Sequence, residues 1–354
     1  PKWLMDPLGP LSIAPAYALH ILPWMLRFWR SSWQDRYQAA LAAQASLMSL
    51  SKTALERQIS AVKGEALIRR EGQLQLYEGE EEFSASLAGW QTRKEHGVQF
   101  ELLRSATAIA KIQPGIHPRF THAGFTPEWK NVCDPSEWAQ HLMQAFLNLG
   151  GQIEIAAVSE LQAQGEDGVT LRLEGGEWHD KPVHAKQAIV AAGAWSKTLA
   201  QSMGDKVPLE TERGYNTTLP NSSFDLKTHL SFSNHGFVVS KIGNAIRVGG
   251  AVELAGLSRP PNYKRAEVLL HKAAQFLPTL KTKGGKQWMG FRPSMPDSLP
   301  VIGPSTASKR VFYAFGHGHL GLTQSAGTAE LIAALVNGDT PDIDIEAFSV
   351  KRFS

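Results

Sequence analysis

A single cysteine, Cys133, among 354 residues excludes an internal disulfide and a cysteine-built metal centre. A lone thiol fits a reducing compartment, and the chain reads as cytoplasmic. Long blocks of one charge are missing too. The 36 basic and 33 acidic residues are mixed along the chain, and a net charge of +3 without basic runs between aromatics gives nucleic acid nothing to bind. There is no internal repeat and no low-complexity tract. Pro1 is not an initiator methionine, and no signal-peptide pattern precedes the body. One stretch, Leu8 to Leu26, lacks Asp, Glu, Lys and Arg altogether. Pro10, Pro15 and Pro23 interrupt it, which argues against a spanning helix. Two readings remain: an apolar segment packed on the body, or a surface-lying segment at the inner membrane, with Trp24, Phe28, Trp29 and Trp33 beside Arg27 and Arg30. The remainder, 43% hydrophobic and 19% charged, is ordinary for a globular enzyme.

Periodicity predicts helices over Asp35 to Val62, Glu81 to His96 and from Ala106, and strands over Leu67 to Tyr77 and Val98 to Leu103. Asp134-Pro135 is a helix start, because Asp caps free amides and Pro suits the first helical position. That helix runs to about Leu149. Gln152 to Ala163 then reads as a strand, and Val169 to Leu173 is expected to pair with Trp178 to Val183 through Gly175-Gly176. Ala188 to Ala192 is a short buried strand leading into Gly193 and a helix. Strands and turns fill Val207 to Val252, and a helix covers Tyr263 to Phe276. Strand Arg310 to Phe315 meets a glycine turn, and the last helix, Leu322 to Val336, closes at Gly338. This alternation predicts a mixed α/β (α+β) chain, a nucleotide-binding part interleaved with a mostly antiparallel sheet.

Gly316-His317-Gly318-His319-Leu320-Gly321 matches G-x-G-x-x-G after a strand and before a helix. It is not a complete dinucleotide fold, since only 38 residues follow Gly316 and no second strand precedes Asp339, Asp342 or Asp344. The physics of the turn stands regardless. Glycine lets backbone approach a flat ligand, and a helix N-terminus offers free amides and positive potential. His317 and His319 without a third ligand make a poor metal site, and none is expected.

In combination, Trp288-Met289-Gly290-Phe291-Arg292-Pro293, Pro300-Val301-Ile302-Gly303 and Tyr313 to Thr323 resemble the C-terminal signature of the D-amino-acid oxidase superfamily. Ala191 to Ser196 is similar to that family's second flavin contact. Pro208 to Tyr215, with Pro1-Lys2-Trp3-Leu4 and Arg247-Val248-Gly249-Gly250, resembles the branch containing bacterial D-amino-acid dehydrogenases. The resemblance implies an FAD-binding Rossmann-like domain interleaved with an antiparallel-sheet substrate domain. Residues 1–130 would be mostly substrate domain and helical cap, 131–204 part of the FAD domain, 205–285 the substrate sheet and 286–354 the C-terminal FAD part. The family opens with a strand and its own G-x-G-x-x-G turn. Nothing before Pro1 supplies these, so the chain reads as lacking an N-terminal nucleotide-binding segment.

The resemblance further implies FAD, an amino-acid substrate, and an electron acceptor that is a quinone or a carrier protein. Arg292 becomes the guanidinium for the substrate carboxylate, a fork that suits a carboxylate better than lysine does. Tyr215 either lines the substrate pocket or is a buried strand aromatic. His317 is a flavin neighbour and a candidate proton acceptor. Val158 is placed beside the adenine and Ala192 with Gly193 near the pyrophosphate. Gly318, His319, Leu320, Gly321, Leu322 and Thr323 wrap the flavin pyrimidine. An oxygen-using oxidase of glycine, sarcosine or an imino acid is the runner-up, and an inactive flavin-free fragment the third reading.

Overall fold

The computed structural model describes residues 9, 11–175, 181–220 and 222–353. The chain passes repeatedly between two units. One comprises residues up to 14, 64–142 and 213–290, and the other 15–63, 143–212 and 291–354.

The first unit is built on a nine-stranded sheet. Its order is Lys286–Ser294, Glu210–Leu219, Ala245–Leu254, Phe237–Ile242, His229–Phe232, Gln73–Tyr77, His122–Thr126 and Glu101–Leu103, with Leu11–Ile13 added on Ala245–Leu254. Most of the paired strands with a resolved register are antiparallel, but Gln73–Tyr77 runs parallel to His229–Phe232, and Leu11–Ile13 parallel to Ala245–Leu254. Alternate side chains turn inward from such strands. Leu74, Leu76, Leu230, Phe232, Phe237 and Val239 therefore share one core with Phe276 of the helix Lys264–Phe276. Two of the strands, Glu210–Leu219 and Lys286–Ser294, cross a unit boundary along the chain.

The expected strand Leu67 to Tyr77 is in fact two, Ile68–Arg69 and Gln73–Tyr77, because Gly72 between them turns at φ 72°. A Cβ there would come within 2.6 Å of the Phe125 ring, so this crossing of chain over ring is open to glycine alone. The helix Gly79–Glu95 packs Trp90 onto the face of Gly124, and the buried indole donates to the Tyr77 hydroxyl at 2.7 Å.

The interior of this unit also holds charge. Arg213, with no exposed surface, donates to Glu253 at 3.2 Å and to the carbonyls of Arg259 and Pro260. The Tyr215 hydroxyl donates to the same carboxylate and accepts from the Asn262 backbone amide. Both of its hydrogen-bonding functions are thereby engaged inside the unit.

In the second unit, Ala188–Val190 and Val311–Phe315 run parallel, and Val301–Pro304 completes a three-stranded sheet on the far side of Val311–Phe315. The helix Gly321–Asn337 closes at Gly338 in the left-handed conformation and packs on Gln34–Val62. Gly327 lets the two helices approach, since a Cβ there would lie 2.4 Å from Ser51 Oγ. A second sheet, Ala157–Ala163, Val169–Glu174 and Pro182–Ala185, is antiparallel throughout. Its first strand starts at Ala157 rather than Gln152, and the proposed turn at Gly176 with Trp178 lies outside the described residues. Asp205 ties this unit's core together, accepting from the hydroxyls of Ser305, Thr306 and Tyr313.

The Asp134 cap is present: its Oδ1 accepts from the Ser136 amide at 2.7 Å as Pro135–Asn148 begins. The uncharged stretch becomes the helix Ala18–Ser31, with Pro23 inside it. Ile21 and Trp24 are buried against the unit, while Leu19, Leu22, Leu26 and Trp29 face outward, Leu19 with 86% of its surface exposed. Among the described residues no helix is long and apolar enough to cross a membrane. Helices, parallel strand pairs and antiparallel pairings coexist in one interleaved chain, the mixed α/β architecture expected.

Candidate active site

Open α/β sheets bind ligands at the carboxyl ends of neighbouring parallel strands. In the second unit the parallel pair is Ala188–Val190 and Val311–Phe315, in register from Ala188 opposite Val311 to Val190 opposite Tyr313. Each strand leaves the sheet through a glycine turn. Gly193 sits at φ 56°, Gly316 at 83° and Gly318 at 53°, left-handed conformations that a side chain would strain. The first turn leads into Ser196–Ser202 and the second into Gly321–Asn337. Residues 192–193 and 316–323, far apart in sequence, thus emerge at the same end of one strand pair.

The strand end Arg292-Pro293-Ser294 reaches this turn, where Ser294 forms a backbone bridge with His317. Arg292 retains some exposed surface, yet protein surrounds its guanidinium closely enough that burial lowers its pKa against the opposing pull of Glu212. Glu212 comes from the strand Glu210–Leu219, which adjoins Lys286–Ser294 in the sheet. Its side chain is 16% exposed and takes a 2.7 Å hydrogen bond from or to His319 Nε2. Burial raises the Glu212 pKa, but the His319 hydrogen bond and charge, the Ser294 hydroxyl and Arg292 outweigh it, so the net direction is down. The Ser294 hydroxyl is buried and completes no hydrogen bond of good geometry, so it acts on Glu212 as a nearby dipole.

His317 and His319 differ sharply. The His317 Nε2 lies 2.9 Å from Thr328 Oγ1, and burial lowers the ring pKa to about 4, so it is neutral at pH 7. His319 has 54% of its side chain exposed. His229, in the first unit, is likewise lowered by burial to about 4. Both folded values lie below the ordinary ~6.5, so between these values the unfolded chain holds protons that the folded chain refuses. Stability is therefore expected to be fully present above about pH 6.5 and to decline as pH falls toward 4, by up to about 2.7 kcal/mol per pH unit for two such protons. Melting temperatures from pH 7.5 to 4.5 measure this, and replacing both rings by glutamine should flatten the decline.

Of the residues singled out in the sequence, Arg292, Ala192, Gly193, His317, His319 and the run Gly318 to Thr323 all lie in the second unit at these strand ends. Val158 stands in the strand Ala157–Ala163 of the same unit and packs against the cluster containing Leu161 and Tyr313. Tyr215 belongs to the other unit, in the Arg213–Glu253 network. Trp195 is 57% exposed and meets the Phe291 ring edge-on at 5.8 Å. His235 pairs with Glu78 at 2.9 Å in the first unit, and among the described residues no cluster of His, Cys, Asp and Glu could hold a metal. Glu212 was missed. Its only sequence signal is an acid within a strand that is otherwise almost wholly buried.

The site chemistry suits a flavin. Ser196 Oγ, Ser294 Oγ and both polar atoms of the Gln324 amide are buried at these turns without a formed hydrogen bond. Buried polar atoms normally have partners, and a polar heterocycle would supply them. The free amides opening Gly321–Asn337, in a first turn without acidic residues, favour the negative charge that a reduced flavin carries. Gly318 to Thr323 would hold the ring system, and Ala192 with Gly193 the pyrophosphate.

Comparison with known proteins agrees. Residues 20–335 match the DAO family model, described as FAD dependent oxidoreductase. A D-amino-acid oxidase of Bradyrhizobium diazoefficiens is 37% identical over 100% of this chain and 83% of its own length. A D-amino acid dehydrogenase of Rhizobium rhizogenes is 27% identical over 99% of this chain and 84% of its own. Among solved structures, glycine oxidase from Geobacillus kaustophilus superposes with a TM-score of 0.76 at 23% identity, covering 88% of this chain and 82% of that one.

Proposed function

Because the chain belongs to the DAO family of FAD-dependent oxidoreductases, we propose that it oxidises the carbon–nitrogen bond of D-amino acids, giving 2-oxo acids and ammonia. The observation that carries this reading is a largely desolvated guanidinium, Arg292, beside a turn suited to a flavin. A planar fork in a site of low polarity is the group that best receives an α-carboxylate. Bound FAD supplies the acceptance of two electrons with the α-hydrogen, and the imine left on the substrate hydrolyses to the 2-oxo acid.

The chain's own residues contribute position and electrostatics. Arg292 fixes the carboxylate and so limits which hydrogen of the substrate can face the ring. The amides of Gly318 to Thr323 stabilise charge gathered on the pyrimidine side. His317, neutral and tied to Thr328, packs beside the turn without adding charge. Tyr215 supports its own unit's framework through Glu253 and Asn262.

The electrons then pass to a quinone or carrier protein. Direct use of oxygen is the second reading, favoured by the oxidase name of the 37%-identical relative. An absorption spectrum taken before and after anaerobic addition of mixed D-amino acids tests the core proposal. A flavin band that bleaches supports it, and one that persists overturns it. Under air, one peroxide per turnover selects the oxidase reading. Turnover that needs an added quinone selects the dehydrogenase.

A peripheral membrane contact belongs to the same proposal. On Ala18–Ser31 the outward Leu19, Leu22, Leu26 and Trp29 stand beside Arg27, while Arg30 pairs with Asp35, and this apolar face with its flanking cation suits an anionic lipid surface. Recovery wholly in the soluble fraction at both low and high salt counts against it.

A further inference from the structure

An amino acid in neutral water carries an ammonium group, yet only a free amine has the lone pair that forms the imine. One proton must leave the nitrogen before the α-hydrogen departs with its electrons. The site therefore needs a proton acceptor near the carboxylate-binding guanidinium and a route from it to water.

Glu212 and His319 meet both requirements. Glu212 is a carboxylate kept largely from solvent, and it faces Arg292 and Ser294 on one strand and His319 on the glycine turn. A guanidinium beside a carboxylate is the charge pattern complementary to the carboxylate and ammonium of an amino acid. The 2.7 Å contact to His319 Nε2 joins this buried acid to a ring with 54% of its side chain exposed. His317 cannot serve, since its Nε2 is engaged by Thr328 and its ring is buried.

We propose that Glu212 and His319 form the proton exit of the site. Glu212 takes the ammonium proton and hands that same proton to His319 Nε2 while this nitrogen carries none, Nδ1 releases its own proton to water, and exchange with solvent returns the ring to its Nδ1–H form. One proton enters and one leaves, and no electrons move along this path. The inference rests on the amino-acid reading above and deepens it.

The test uses the FAD-loaded full chain with two ligands that cannot be oxidised. One is 2-aminoisobutyrate, which lacks an α-hydrogen, and the other is isobutyrate, which lacks the amine. Calorimetric titration in two buffers of different ionisation enthalpy gives affinity and protons released. In Glu212→Gln, isobutyrate should bind as tightly or more tightly because a charge facing Arg292 is gone. 2-Aminoisobutyrate should weaken about tenfold and lose its buffer-dependent proton release. With an oxidisable D-amino acid, kcat/KM at pH 7 should fall about a hundredfold, in the range for loss of general base catalysis. It should then recover about tenfold per pH unit toward the substrate's ammonium pKa.

His319→Ala, at a half-exposed position, guards against misfolding of the first variant. It should retain 2-aminoisobutyrate binding, lose turnover about tenfold, and regain it with added imidazole. If both ligands bind the unaltered enzyme and neither variant changes proton release or the pH profile, the proton exit is overturned while the amino-acid reading stands. If the unaltered enzyme binds neither ligand, both fall together.

Discussion

Replacing Arg292 by alanine is expected to lower kcat/KM for D-amino acids by about a thousandfold, chiefly through KM, while the flavin spectrum stays unchanged. Removing one partner of a desolvated, hydrogen-bonded charge pair costs about 2–5 kcal/mol, and about 1.4 kcal/mol is a factor of ten. Arg292 sits where burial already lowers its pKa, and Glu212 is the acid that opposes this. In the alanine variant a substrate carboxylate would face Glu212 with no intervening cation, so loss of attraction is compounded by repulsion. Lysine should restore only part of the loss, because an ammonium keeps the charge without the two parallel donors. Steady-state kinetics over a range of substrate concentrations provides the measurement. Unchanged KM in Arg292→Ala would remove the carboxylate from this position.

The second large effect concerns stability. Glu253→Gln is expected to destabilise the fold by about 3–5 kcal/mol, because it leaves the guanidinium of Arg213 inside the protein without a counter-charge. Arg213 has no exposed side-chain surface and Glu253 only 5%, so water cannot compensate. Tyr215→Phe, which removes one donor to the same carboxylate, should cost only about 1–2 kcal/mol. Replacing Arg213 and Glu253 together by methionine and leucine should recover much of the loss, since a buried pair contributes little beyond what matched apolar side chains would. Urea unfolding of the three variants separates these cases. Equal midpoints for the single and double changes would show that the pair is not what the interior depends on.

The sequence disclosed features whose cause is local. Asp134-Pro135 specifies a helix start by hydrogen bonding within three residues, and the helix begins there. Gly338 ends the last helix because it adopts the left-handed conformation that the stop requires. The glycine turn at 316–321 was legible for the same reason, as was its poor fit to a complete dinucleotide fold. Features fixed by distant partners were not. Glu212 and His319 are 107 residues apart, and nothing in either neighbourhood announces the other. Gly72 splits an apparently continuous strand because a ring from Phe125 occupies the space above it. On the helix Ala18–Ser31, Ile21 and Trp24 pack inward while Leu19 and Trp29 do not, a division that the uncharged sequence alone does not mark.

The pairing of Ala188–Val190 with Val311–Phe315 has a consequence for how the protein is made. During synthesis the first of these strands leaves the ribosome more than a hundred residues ahead of its neighbour, and the helix Gln34–Val62 waits longer still for Gly321–Asn337. A nascent chain halted before residue 311 would therefore carry Glu212 and Arg292 without the turn, the helix amides or His319. Contacts this distant along the chain form late. The apolar surfaces that await them, Leu47 and Leu50 among them, stay uncovered until Gly321–Asn337 emerges. Nascent chains halted between residues 63 and 321 should thus depend on chaperones more than those that have passed residue 337.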